Sequence, residues 1–229
     1  MALSIASSPV LLRCQGVLFD MDGILISSLG SVERSWTKWA RMRGVDPAYA
    51  LTVIHGRRAI ESVAELRPDL DSVAELKLIE DIELADGEGI TVLPGVFDLI
   101  AALPKDRWTV VTSATERLAR MRLVAAGFDL PDHLVTAETV SECKPHPAPY
   151  LAGAALLGFA PEECVVFEDS SSGVIAGRAA GCTVVATTFS HRVESLNAAH
   201  YLVPDLTGVA ASVLPDGAGL ALKLTPLER

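Results

Sequence analysis

Two aspartates one residue apart, Asp20 and Asp22, follow the apolar run 17–19 and precede Gly23. Side chains alternate along a strand, so residues two apart point the same way. The run reads as a buried strand of a parallel sheet, and chemistry in such sheets lies outside the carboxyl ends of the strands. D-x-D-G is also an ordinary turn sequence, so the functional interpretation depends on further motifs.

Hydroxyl and ammonium groups follow later predicted strands. Thr112 ends the segment 108–112 and Ser113 follows it, just before a helix. Hydroxyls and backbone N–H groups at a helix start form an anion site, although Ser and Thr are also common N-caps. Lys144 stands between Cys143 and Pro145. A single Lys is usually a solvated surface charge, but the prolines flanking this segment favour a fixed loop that leads into a helix.

A second pair of acids, Glu168 and Asp169, follows the apolar segment 164–167. Turn and N-cap roles are the simpler alternative. Together with Asp20 and Asp22, however, these acids predict four carboxylates at neighbouring strand ends. Such crowding is unfavourable without a cation, which indicates a hard divalent ion with oxygen ligands, and Mg²⁺ fits best.

The elements that must position these groups alternate between strand and helix from residue 93 onward. This alternation predicts an α/β fold with a doubly wound, Rossmann-like parallel sheet. Strands are predicted at 17–19, 108–112, 134–136, 164–167 and 183–186. Helices are predicted near 96–103, 116–126 and 173–180, and a further helix is predicted to begin at Pro147. Leu220, Leu222 and Leu224 alternate and predict an edge strand.

Between the first strand and residue 92 the pattern is helical. Helices are predicted over 29–43, 58–66 and 71–85, the last ending at Asp86-Gly87. We expect a core domain of residues 1–26 and 92–229 and a small helical cap of residues 27–91, inserted after the first strand.

Composition limits the possible partners. The 229-residue chain is 50% hydrophobic and 21% charged, with a formal net charge of −10. That charge argues against general affinity for nucleic acid or anionic membranes. The four cysteines have no C-x-x-C spacing, and no signal peptide or span of about 20 apolar residues is recognisable. We therefore expect a cytoplasmic protein, and we expect it to be monomeric.

The four motifs together resemble those of the haloacid dehalogenase-like hydrolases, in their order and over residues 17–173. Within this family the chain is similar to helical-cap phosphatases of sugars and polyols, of the glycerol-3-phosphatase, 2-deoxyglucose-6-phosphatase and hexitol phosphatase types. Ile24 and Ser27 depart from the first motif, where Thr and often Asp are usual.

The resemblance implies a role for each motif residue. It makes Asp20 the nucleophile, Asp22 the acid and base, Ser113 a phosphate-binding group beside Thr112, and Lys144 the counter-charge. Mg²⁺ ligands would come from four acids: Asp20, Asp22, Asp169 and, less firmly, Glu168.

The cap loop at 53–58 contains a further motif of the relatives, H-G-x-R, matched by His55, Gly56 and Arg58. These residues are predicted to bind substrate beneath the cap, with Arg58 reaching its hydroxyl or phosphate end. A solvated loop is the alternative.

The sequence thus predicts a Mg²⁺-dependent phosphatase that hydrolyses a small sugar or polyol phosphate through an aspartyl-phosphate. A β-phosphoglucomutase-like phosphotransferase and a phosphoglycolate-type phosphatase are the alternatives. Mutases have an Arg three residues after the loop glycine, where this chain has Ala59, which favours hydrolysis. A ligand sensor is less consistent with a full set of catalytic groups, and a dehalogenase lacks the second Asp.

Overall fold

The strands of the protein form three separate sheets in a computed structural model that describes residues 8–54, 59–86, 88–129, 131 and 133–228. In chain order they are β1 (Val10–Cys14), β2 (Gly16–Phe19), β3 (Ile26–Ser27), β4 (Thr91–Val92), β5 (Trp108–Val110), β6 (Cys164–Glu168), β7 (Thr183–Thr187), β8 (Tyr201–Val203), β9 (Ala210–Val213) and β10 (Leu220–Leu224). The central sheet is parallel, in the order β5-β2-β6-β7-β8.

Helices lie on both faces of the central sheet. Those that follow the cap are α5 (Val96–Ala101), α6 (Glu116–Ala125), α7 (Ala148–Leu157) and α8 (Ser171–Ala179). Successive residues of β2 enter different hydrophobic clusters, Phe19 on one face and Leu18 on the other. A strand that is buried on both faces needs an unbroken apolar sequence, as 17–19 provides. The predicted doubly wound α/β fold is confirmed.

Between β3 and β4 the described residues form four helices, which pack into a second unit that we call the cap. They are α1 (Leu29–Arg43), α2 (Pro47–Ile54), α3 (Ala59–Leu66) and α4 (Ser72–Asp86). Trp39 is fully buried in their shared hydrophobic cluster, and its indole N–H donates to Glu75 at 2.7 Å. The expected domain limits at 27 and 91 fall within the antiparallel pair β3–β4, where Ser27 is opposite Thr91; the division into domains stays a prediction.

Three features differ from the sequence-based expectation. Residues 10–14 form β1, and β10 lies between β1 and β9 in an antiparallel sheet, so 220–224 is a central strand and not an edge strand. The predicted strand at 134–136 is wrong, since only Val135 pairs, in one isolated bridge, and residues 137–139 turn away.

The third difference is α2, an additional helix. Its start has a recognisable sequence, because Asp46 accepts a hydrogen bond from the N–H of Ala48 at 2.9 Å and Pro47 begins the first turn.

No helix in the described part of the chain has both the length and the apolar character that a bilayer crossing requires. The cytoplasmic location and the monomeric state stay predictions.

Candidate active site

The carboxyl ends of β2 and β6 bring three acids together. These strands are parallel neighbours with Phe19 opposite Phe167, so the residues that follow them lie side by side. One carboxylate oxygen from each of Asp20, Glu168 and Asp169 lies within 4.8 Å of the other two, and all three residues are buried. Carboxylates at this spacing can hold a metal ion.

Lys144 supplies a positive charge to this cluster. Its Nζ donates to Asp20 Oδ1 at 2.5 Å, to Glu168 Oε1 at 2.7 Å and to the carbonyl of Val111 at 3.0 Å. The side chain is only 5% exposed. Lys144 is therefore not the solvated surface residue that a single Lys usually is.

Glu168 is held more completely than the other two acids. Besides Lys144, its Oε1 accepts from the hydroxyl of Tyr150 at 2.7 Å. Its Oε2 accepts from the N–H groups of Asp169 and Ser170 at 2.9 and 3.0 Å, and from the Ser170 hydroxyl at 3.0 Å. Since both oxygens are engaged by protein groups, Glu168 is built to orient Lys144, and Asp20 and Asp169 are better placed to hold a metal. The role of Glu168 as a direct ligand stays a prediction.

Burial dominates the electrostatics of the cluster. It raises the pKa of Asp20 well above its ordinary value, against the opposing charge of Lys144. Burial, and next the charge of Glu168, raise the pKa of Asp169 to about 7. Burial, the largest influence, also opposes ionisation of Glu168, but the charge of Lys144 and the hydrogen bonds from Lys144 and the neighbouring donors together outweigh it, so the pKa of Glu168 is lowered. One lysine among three buried carboxylates leaves an excess of negative charge, which a divalent cation offsets.

Asp22 lies apart from this cluster, at least among the groups that the structure describes. Its Oδ1 accepts from the hydroxyl of Ser28 at 2.5 Å and its Oδ2 from Arg122 Nη1 at 2.8 Å. Its role in proton transfer stays a prediction, and its predicted role as a metal ligand has no support from this placement.

Arg122 was missed by the sequence reasoning. It lies on the buried side of α6 together with Ala119 and Leu123. Its spacing could have indicated this, because Arg122 is three residues after Ala119 and next to Leu123, on the apolar face of the helix that packs inward.

Thr112 and Ser113 follow β5 at the same edge of the sheet. The hydroxyl of Thr112 is buried and accepts from the N–H of Ala114 at 3.1 Å. The N-cap of α6 is Thr115, which accepts from the N–H of Leu118, so Ser113 is not used for capping. Ser113 is exposed and lines the cleft, where its hydroxyl can meet a phosphoryl oxygen.

A cleft of about 760 Å³ lies between the cap and the sheet edge. Its lining includes the core residues Asp20, Asp22, Ser113, Lys144 and Asp169, and the cap residues Glu33, Trp36, Ile79, Glu80 and Glu83. The predicted substrate-binding residues His55, Gly56 and Arg58 lie outside the described residues. Ile54 and Ala59, which flank that segment, both line the cleft.

Replacing Gly173 with alanine should disrupt the site through Glu168. A Cβ on Gly173 would lie 1.6 Å from Glu168 Oε1, and this carboxylate cannot withdraw because its hydrogen bonds fix it. Displacing a buried charge from its partner costs about 3–5 kcal/mol, which thermal denaturation will measure. Gly208→Ala is the control, since nothing lies within 4 Å of a Cβ there. Equal stability of the two variants would contradict the positioning of Glu168.

Comparison with known proteins agrees with this geometry. The family model described as haloacid dehalogenase-like hydrolase matches residues 14–181. Hexitol phosphatase A of Escherichia coli (strain K12) is 43% identical over 211 residues, which are 90% of this chain and 98% of that protein. Glycerol-1-phosphate phosphohydrolase 2 of Saccharomyces cerevisiae is 33% identical, over 82% of this chain and 80% of that protein.

Solved structures show the same fold. The crystal structure of CbbY from Rhodobacter sphaeroides in complex with phosphate has a TM-score of 0.76 at 23% sequence identity, and the match covers 85% of this chain and 95% of that one. The family model spans all four sequence motifs, from the strand before Asp20 to the helix after Asp169. The chain belongs to the haloacid dehalogenase-like hydrolases.

Proposed function

We propose that the protein is a Mg²⁺-dependent phosphatase that acts on a small sugar or polyol monophosphate. The observation that carries the proposal is the pairing of buried Asp20 with Lys144, beside Asp169, at the floor of a cap-covered cleft that also receives Asp22. The names of the relatives, hexitol phosphatase and glycerol-1-phosphate phosphohydrolase, support the substrate class.

The donor set suits a small hard cation. Asp20 and Asp169 would hold Mg²⁺, which prefers a few carboxylates and completes its shell with water and substrate phosphate. When bound, the ion offsets the charge of the phosphoryl oxygens.

The side chains of the chain divide the chemistry between them. Asp20 attacks phosphorus and forms an aspartyl-phosphate, while Asp22 gives its proton to the departing alkoxide. Asp22, now ionised, then takes a proton from the water that hydrolyses the aspartyl-phosphate. Lys144 and Ser113 orient the phosphoryl oxygens, and such positioning with charge stabilisation is most of what phosphoryl transfer requires.

The charge of the cleft favours a substrate with a single anionic group. Glu33, an exposed carboxylate, lines the described cap side of the cleft, while Glu80 and Glu83 beside it are buried in ion pairs with Arg117 and Arg122. A second anionic group, as on phosphoglycolate, would face Glu33, whereas a hydroxyl group can donate a hydrogen bond to it.

A panel of phosphate esters tests the assignment. We expect kcat/KM for sorbitol 6-phosphate or glucose 6-phosphate to exceed that for 2-phosphoglycolate by at least about tenfold, since unpaired charge costs more than about 1.4 kcal/mol. Measured phosphate release gives the ranking. Preference for phosphoglycolate would contradict the substrate class.

The same panel separates the remaining alternatives. With β-glucose 1-phosphate, a mutase accumulates glucose 6-phosphate faster than inorganic phosphate, and that result would overturn the phosphatase assignment. A ligand sensor would bind the esters and release no phosphate from any of them.

A further inference from the structure

A buried line of charged side chains connects Asp22 to the cap. Arg122 on α6 donates from Nη1 to Asp22 Oδ2 at 2.8 Å and from Nε to Glu83 Oε1 at 2.7 Å. Glu83 belongs to the cap helix α4. The side chains of Arg122 and Glu83 are 7% and 3% exposed, so water does not screen this contact. Cap helix α4 therefore reaches Asp22, the proposed acid and base, through Arg122.

The guanidinium makes this contact directional. Its donors are fixed in one plane, so the position of Glu83 determines where Nη1 of Arg122 points. Burial by itself would lower the pKa of Arg122, but Asp22 and Glu83 more than offset it and the pKa is raised. Arg122 thus keeps its charge. The other oxygen of Asp22 is held by Ser28, which is the N-cap of cap helix α1.

We propose that Arg122 is a positioning residue, which fixes Asp22 for proton transfer to the leaving group while Glu83 of the docked cap holds Arg122. The proposal rests on the proposed function. Its consequence is that Asp22 takes its catalytic position only when the cap is docked on the core. A substrate whose leaving group needs a proton is therefore cleaved while the cap is docked.

Substrates differ in how much they need this proton. An alkyl phosphate expels an alkoxide, which must be protonated as it leaves, whereas p-nitrophenyl phosphate expels a phenolate that is stable as an anion. General acid catalysis contributes about 10²–10⁴-fold where it is needed, and it depends on accurate placement of the acid. Loss of positioning should therefore affect the two esters unequally.

A general role in cap docking is the competing explanation. Arg117 provides the matched control, because it joins the same two helices through an ion pair with Asp81. Arg117 is 46% exposed, and among the described residues its ion pairs are with Asp81 and Glu80 and not with Asp22. A variant at Arg117 weakens the α4–α6 contact without moving the acid.

The experiment compares kcat/KM for sorbitol 6-phosphate and p-nitrophenyl phosphate in Arg122→Gln, Glu83→Gln and Arg117→Gln. For Arg122→Gln we expect a loss of about 30- to 100-fold with the alkyl ester and less than about threefold with the aryl ester. Glu83→Gln should shift the ratio in the same direction. A double variant that combines Arg122→Gln with Glu83→Gln should lose no more kcat/KM on the alkyl ester than Arg122→Gln alone, because both residues act through one contact. Arg117→Gln should change both esters by the same small factor.

The outcomes distinguish the two proposals. An equal loss of kcat/KM on both esters in Arg122→Gln would show that Arg122 only helps to dock the cap, which would overturn the positioning role. It would leave the proposed phosphatase function unaffected. Absence of wild-type turnover on either ester would instead refute the proposed function. If Arg122→Gln does not fold, Glu83→Gln decides: an unchanged ratio of the two kcat/KM values would contradict the proposal.

Discussion

Asp20→Asn is expected to lower phosphate release by at least about a thousandfold, because an amide oxygen is a poor nucleophile and a weak ligand for a hard cation. The change should leave the fold intact. Burial already disfavours the ionised form of Asp20, so a neutral side chain of the same size fits its surroundings. Inorganic phosphate release at saturating substrate measures the effect.

The control for this variant is Asp98→Asn, the same chemical change on the exposed surface of α5. It should retain wild-type turnover. Both variants should unfold within about 5 °C of the wild type. More than a few per cent of wild-type activity in Asp20→Asn would remove Asp20 from the nucleophile's role.

Removal of divalent cations should abolish turnover, and added Mg²⁺ should restore it. Three buried carboxylates share one lysine, and a phosphate dianion would add two more negative charges to the same edge. Without a cation the substrate is repelled, so we expect less than about 1% of the activity in excess chelator.

Titration calorimetry with Mg²⁺ alone separates binding from catalysis. Asp169→Asn should weaken Mg²⁺ binding by at least about tenfold, since one of two well-placed carboxylates is lost. Asp98→Asn again serves as the control. Full activity in excess chelator would show that the carboxylate cluster works without a metal.

The chemistry at the sheet edge was predictable because parallel strands impose it locally. An apolar run that ends in an acid defines both a buried strand and the edge where it stops, so Asp20 and Asp169 could be assigned to one place from two short segments. The structure shows that these two segments are parallel neighbours. Lys144 needed the resemblance to the family, since a single lysine has no pattern of its own.

Contacts between distant segments were beyond the same reasoning. β1 and β10 pair Val10 with Leu224, and no local pattern specifies a partner so far along the chain. The predicted strand at 134–136 had the right apolar character, but Val135 makes only one bridge before the chain turns. Arg122 meets Glu83 because α6 packs on α4, and the sequence of either helix alone does not show this.

The paired strands β3 and β4 have a consequence for how such enzymes diversify. The chain leaves the core at Ser27 and returns at Thr91, directly opposite, so the two ends of the cap are adjacent across one rung of a ladder. A segment whose ends already meet can be exchanged for another without opening the sheet beneath it. Substrate selectivity can therefore change when one cap is replaced by another, while the carboxylates at the edge of the central sheet are kept. A transplanted cap would have to bring its own equivalent of Glu83, or Arg122 would be left with a buried, half-satisfied charge.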